Sequence, residues 1–397
     1  MAFFDENILL ESAAAKKLYD GIAHLPIIDY HCHLNEAEIA CDKHFSDIGE
    51  LWLAGDHYKW RAMRLAGVPE KYVTGDGSNK EKFFAYASVM PKLIGNPLYY
   101  WSHMELDALF GIREPLNAES AESIWDRANE KLRDIGVGDL LKKFRVEYIA
   151  TTDDPFSSLS LHGSINGVTV SPTFRPDRCF AEGVPKAELE KRLDFFLTKG
   201  CKAADHGFDV FSDTEDVEWL IRACHERGLL LQLHFGTFRN VNSKAFGKIG
   251  RDAGFDVFRD HIATDRLATL LDKMYGELGG LPKIVLYPLN DNYLRAVCAI
   301  SGAFPNVLVG AAWWFNDTVC GIKRQLETVA EYAMLGNNLG MLTDSRSFSS
   351  YVRFDFYRRI LASFIAEKTE RGEYDESAAL GLARDISYFN VKEALGL

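Results

Sequence analysis

Two histidines, His31 and His33, stand two residues apart at the end of the run Leu25-Pro26-Ile27-Ile28-Asp29-Tyr30. A short apolar run bounded by a proline reads as a buried strand. On a strand, residues two apart face the same side. The imidazoles therefore project in parallel where the strand runs out, which is half of a metal site. Cys32, between them, faces the other way and reads as packing. A bare His-x-His is more often a pair of core or surface side chains, but the apolar strand, the preceding Asp29 and the partners farther along reverse that preference.

Those partners are Arg175, Asp205, His234, Trp313, Trp314, Asp344 and Arg346, each at the polar or aromatic end of an apolar run. Two histidines and one carboxylate, with positions left open for water or substrate, suit zinc or a similar divalent ion. Asp344 is the obvious carboxylate, because the last strand of a closed barrel lies next to the first; its plain alternative is the cap of a following helix. Arg346, two residues on, shares its face, and a guanidinium there suits a carboxylate or an alkoxide. Arg175, wedged between Phe174 and Pro176, is a second anion-binding candidate. For either arginine the alternative is a structural ion pair. Trp313 and Trp314 suit the face of a sugar, with one of the two expected to point outward. The cluster Gly55-Asp56-His57-Tyr58-Lys59-Trp60-Arg61 reads as a lid over the site or as a solvated helix start, and in the first case His57 and Tyr58 are proton-transfer candidates.

Eight strands must position these side chains. They are expected over residues 25–33, 145–155, 167–176, 201–206, 229–236, 283–287, 307–314 and 340–346, mostly with helical sequence between them. Repeated strand–helix units imply a parallel sheet with right-handed crossovers. Eight of them fit a distorted (β/α)₈ barrel, whose active sites lie at the C-terminal strand ends. Residues 36–142 read as mostly helical, too long for a plain connection, and are expected to be an insertion or lid within one domain spanning 1–397.

Acidic residues outnumber basic ones, 57 to 45. No basic block favours a nucleic-acid or anionic-membrane partner. The first seventeen residues carry Asp5, Glu6 and Glu11 where a signal peptide would be basic, and no run is apolar enough to span a bilayer. Seven scattered cysteines without a Cys-x-x-Cys pair argue against a disulfide framework and fit a reducing cytoplasm. No glycine-rich phosphate loop follows a strand.

The ordered segments Ile28-Asp29-Tyr30-His31-Cys32-His33-Leu34, Gly55-Asp56-His57-Tyr58-Lys59-Trp60-Arg61, Thr151-Thr152-Asp153-Asp154-Pro155, Pro172-Thr173-Phe174-Arg175-Pro176-Asp177, Trp313-Trp314-Phe315-Asn316 and Thr343-Asp344-Ser345-Arg346-Ser347 resemble the uronate isomerases of the amidohydrolase superfamily. The resemblance runs over nearly the whole chain. It implies aldose–ketose interconversion of D-glucuronate with D-fructuronate and of D-galacturonate with D-tagaturonate, on a divalent metal, usually zinc, held by His31, His33 and Asp344. It also implies substrate and proton-transfer roles for His57, Tyr58, Arg175, Trp313, Trp314 and Arg346, with Asp205 and His234 as further matches; proton transfer is expected of Tyr58 or His57, with Asp344 both ligand and proton carrier at a hydroxyl. Asp205 and Tyr287-Pro288 stand near the positions where many amidohydrolases place further metal ligands, which argues for one metal. A longer helical stretch is expected between His206 and Leu229 in such proteins. The competing readings are a metal-dependent hydrolase of a sugar-acid lactone, ester or amide, and a silent sugar-acid binding protein. A homo-oligomer is compatible with the sequence, which fixes no stoichiometry.

Overall fold

The computed structural model describes residues 4–211 and 214–397. Seven strands form one parallel ladder in chain order: β1 (Ile27–Cys32), β2 (Val146–Asp153), β3 (Val168–Phe174), β4 (Ala203–Phe208), β5 (Leu230–Phe235), β6 (Ile284–Pro288) and β7 (Val307–Val309). Their apolar side chains are buried almost throughout, as expected for a parallel sheet covered by helices. A short antiparallel strand, Gly163–Ile165, pairs with β3 at its start. Strand order equal to chain order makes each crossover a nearest-neighbour step, and the sheet curls so that all seven C-terminal ends face one mouth.

The eighth expected strand does not form. Residues 340–346 carry Gly340 at φ +69° and Asp344 at φ +47°, a left-handed conformation that cannot continue a ladder. The segment instead lies beside β1 through two main-chain bonds, Asp344 N–H to His31 O (3.0 Å) and His33 N–H to Ser345 O (2.9 Å). Asp29 fixes the same edge: its carboxylate accepts the Thr343 backbone N–H (3.0 Å) and hydroxyl (2.6 Å). The expected strand over 307–314 is likewise shorter than its apolar run, ending at Val309.

Between β1 and β2 the chain passes through seven α-helices. One of them, α1 (His57–Leu65), starts where the Asp56 carboxylate accepts the N–H groups of Tyr58 (3.0 Å) and Lys59 (3.2 Å). Lys59 is buried, its ammonium 3.1 Å from Asp56 and 3.7 Å from Glu105 of helix α2 (Pro97–Phe110). Glu105 in turn accepts the Ser349 hydroxyl (2.9 Å), just after the 340–346 segment. The polar cluster is therefore not a solvated helix start: part of it ties the helices to the sheet. The described residues of the segment 206–229 hold one helix, at Glu215–Arg227. No helix among the described residues is long and apolar enough to cross a membrane.

Candidate active site

His31 and His33 leave the end of β1 toward the 340–346 segment. The His31 and His33 Nε2 atoms lie 3.4 and 3.1 Å from Asp344 Oδ1. One donor atom from each of the three residues falls within 4.8 Å of the others. The Trp313 indole N–H donates to Asp344 Oδ2 at 2.6 Å, which turns Oδ1 toward the imidazoles. Asp344 is not a helix cap, since the next helical turn begins only at Phe348. Burial opposes its ionisation, but the two imidazoles prevail and hold its carboxyl well below the usual range.

The donor set fits a divalent ion. Both His31 ring nitrogens are buried without a hydrogen-bond partner, a state costing roughly 1–3 kcal/mol per group that a cation at Nε2 would relieve. The Thr152 hydroxyl donates to Cys32 O (3.1 Å) and also meets His33 Nδ1. It can only accept from that nitrogen, which leaves the His33 lone pair on Nε2, facing Asp344.

Around this centre opens a cavity of about 600 Å³ whose wall includes His33, His57, Arg175, His234, Trp313, Trp314, Asp344 and Arg346. Of the residues singled out from sequence, His31, Tyr58 and Asp205 do not reach that wall. Asp205 is fully buried behind it, 3.2 Å from Arg175 Nη1, 3.3 Å from His234 Nε2 and 3.7 Å from His31 Nδ1. Burial works against its charge, and His234, Arg175 and His31 together still hold it well below the usual range. Asp205 thus braces Arg175 from behind, while Asp177 takes the Arg175 Nε–H at 2.9 Å.

Both tryptophans reach the cavity, against the expectation that one points outward. Trp314 has φ +56°, so the alternation of a strand is broken exactly between the two rings. Trp313 packs on His31 (4.5 Å between centroids) and His234 (4.8 Å). The Trp314 ring meets His57 edge-on at 6.0 Å and lies under the Arg239 guanidinium.

Burial pushes the His57 imidazole down, with Asp56 and Asp344 pulling the other way, so its lowered value favours the neutral ring. Tyr58 is its neighbour, ring centroids 4.9 Å apart, but its hydroxyl is buried and pushed well above the ordinary phenol value, first by burial and then by Asp317. Arg346 is held by Asp252 at 2.9 Å. Asp252 belongs to an excursion after β5 whose ends pair as Thr237–Phe238 with Val257–Phe258. Arg61 of α1 donates to Asp256 O (2.6 Å), pinning that excursion to the helices.

Thr152, Asp177, Arg239, Asn240 and Asp252 also line the cavity, and reading the sequence for site residues passed them over. Thr152 and Asp177 sit beside strand ends that were already in view, so a second polar residue there was the available signal. The excursion at 239–256 has no apolar periodicity, and the pair Arg239-Asn240, which resembles the uronate isomerases, is the one local signal in it.

A family model described as "Glucuronate isomerase" matches residues 1–186 and 211–395. The uronate isomerase of Caldicellulosiruptor bescii is 39% identical, covering 99% of each chain over 461 aligned positions, so it carries internal stretches this 397-residue chain lacks. The crystal structure of uronate isomerase from Thermotoga maritima superposes with a TM-score of 0.93 at 32% identity over the whole of both chains. That of glucuronate isomerase from Caulobacter crescentus gives 0.89 at 26% identity, covering 99% of this chain and 97% of that one.

Proposed function

This chain belongs to the glucuronate isomerase family and is a uronate isomerase; from that premise we propose that it interconverts D-glucuronate with D-fructuronate, and D-galacturonate with D-tagaturonate, at one divalent ion, zinc, held by His31, His33 and Asp344. The observation that carries this reading is the convergence of three donor atoms on a cavity that also holds two braced guanidinium groups, Arg175 and Arg346. When bound, the ion would supply Lewis-acid polarisation of substrate oxygens.

The reaction breaks the C2–H bond of the open-chain aldose and forms a C1–H bond. O1 gains a proton as O2 loses one, through an enediol. His57 is the proton carrier between C2 and C1, because its lowered value favours the neutral ring and it lies partly buried on the cavity wall. Tyr58, the other candidate, keeps its proton and backs His57. Arg346 and Arg175 bind the substrate carboxylate and the oxyanion that develops at the enediol, as fixed charges that need no reorganisation. Trp313 holds Asp344 in place, and Trp314, stacked on Phe315 and covered by Arg239, shapes the cavity wall beside His57. Asp205 and His234 act together, the first by orienting Arg175 and the second at the cavity wall. The helices of residues 36–142 act as a lid within a single domain, since α1 brings His57 over the mouth.

The test is proton NMR of each uronate in deuterated water. Deuterium at C1 of the ketouronate, lost in His57→Asn and kept in Tyr58→Phe, is expected. Product free of deuterium, or loss confined to Tyr58→Phe, would overturn the role given to His57.

A further inference from the structure

A second cavity, about 380 Å³, lies at the opposite end of the sheet from the active site, where β1 begins at Ile27. Its wall brings together Lys143, Arg145, Arg358 and Arg359 with Asp355, and Arg113 with Asp5, Glu6 and Asp107. Asp355 is already engaged, accepting from Arg359 Nε at 2.9 Å and from the Tyr19 hydroxyl. At the outer end Arg113 is paired with Asp107 (2.8 Å) and lies near Asp5 and Glu6, so the acids there answer another cation.

Arg358 is the unusual member. It is 3% exposed, forms no ion pair among the described residues, and spends its two Nη groups on the carbonyls of Leu25 (2.9 Å) and Pro26 (2.7 Å). Its Nε–H is buried with no acceptor. Arg145 also forms no ion pair among the described residues, and it sits at φ +56°, a strained conformation for arginine, with one Nη group on Ala23 O. Burial lowers the Arg358 guanidinium to about 10 against the pull of Asp355, and Arg145 adds to the fall. A buried cation beside a second cation is unfavourable until a counter-charge completes the site.

We propose that this cavity is a binding site for a phosphate-sized oxyanion, free or carried on a small phosphorylated molecule, held by Arg145 with the charge of the buried Arg358 behind it. Guanidinium groups suit a tetrahedral oxyanion. The cavity is larger than the bare ion, and apolar side chains such as Ile8, Ile27 and Met104 leave room for a carbon skeleton.

The test compares wild type with Arg145→Glu, since Arg145 is exposed and far from the catalytic residues. Crystals soaked in tungstate should show an anomalous peak between Arg145 and Arg358 in wild type and none there in the variant. In solution at constant ionic strength, inorganic phosphate should raise the thermal midpoint of wild type and of Arg346→Met, and leave Arg145→Glu unmoved. A larger rise with glucose 6-phosphate than with phosphate would assign a phosphorylated ligand; an equal one would assign the bare ion. A peak only at the active-site mouth, or a phosphate effect that survives in both Arg145→Glu and Arg145→Gln, would overturn the proposal.

Discussion

Arg346 and Thr152 show how single side chains divide between folding and chemistry. The Arg346–Asp252 pair is substantially exposed, and exposed pairs contribute about 0–1 kcal/mol to stability. As a donor to developing negative charge the same guanidinium is worth roughly 10²–10³-fold in turnover. Arg346→Met should therefore lower kcat for D-glucuronate by about that factor while leaving the urea midpoint close to wild type; near-normal turnover would remove Arg346 from the reaction. Thr152 touches no substrate in this account and acts by fixing the His33 tautomer. Thr152→Val should weaken metal binding by about 10–100-fold, read by competition with a chromogenic chelator. His31 and His33 were legible in the sequence because a strand makes i and i+2 neighbours, and Asp344 because the closing segment was expected beside the first strand. Thr152 was not, because its partner lies 119 residues away and only the sheet register brings them together.

At the scale of elements, seven strands could be read from apolar runs ending in polar residues, and the helical excursion from its length. The eighth could not. Apolar Met341-Leu342 promised a strand, but Asp344 adopts a left-handed conformation to bring Oδ1 to the imidazoles, a strain of order 1–3 kcal/mol. Asp29, through Thr343, and the His31 carbonyl hold it there. The buried ammonium of Lys59 between Asp56 and Glu105 joins α1 to α2, and Glu105 reaches Ser349 beyond the 340–346 segment. Lys59→Met would leave two carboxylates buried without their cation, at a cost of roughly 3–5 kcal/mol. The expected outcome is a clear fall in the urea midpoint, partly recovered when Glu105→Gln is combined with it. An unchanged midpoint would mean the network is not what fastens α1.

For the whole molecule, buried charge shapes its response to pH. Burial pushes the Asp317 carboxyl up to about 8, against the pull of Arg353. Its folded value lies above the unfolded one, so between about pH 4 and pH 8 the folded protein keeps a proton that the unfolded chain releases. Stability from this group is complete below that window and is lost as pH rises through it. Asp317→Asn, which mimics the protonated form, should gain stability relative to wild type between pH 5 and pH 8 in urea titrations; a constant difference would show that Asp317 does not titrate there.

The account as a whole rests on one ion shared by His31, His33 and Asp344. Apoprotein prepared with a chelator should regain D-glucuronate isomerisation on titration with Zn²⁺, saturating at one equivalent, and Asp344→Asn should neither bind the ion tightly nor regain activity. Full turnover by protein free of metal, or by Asp344→Asn at the same stoichiometry, would contradict it.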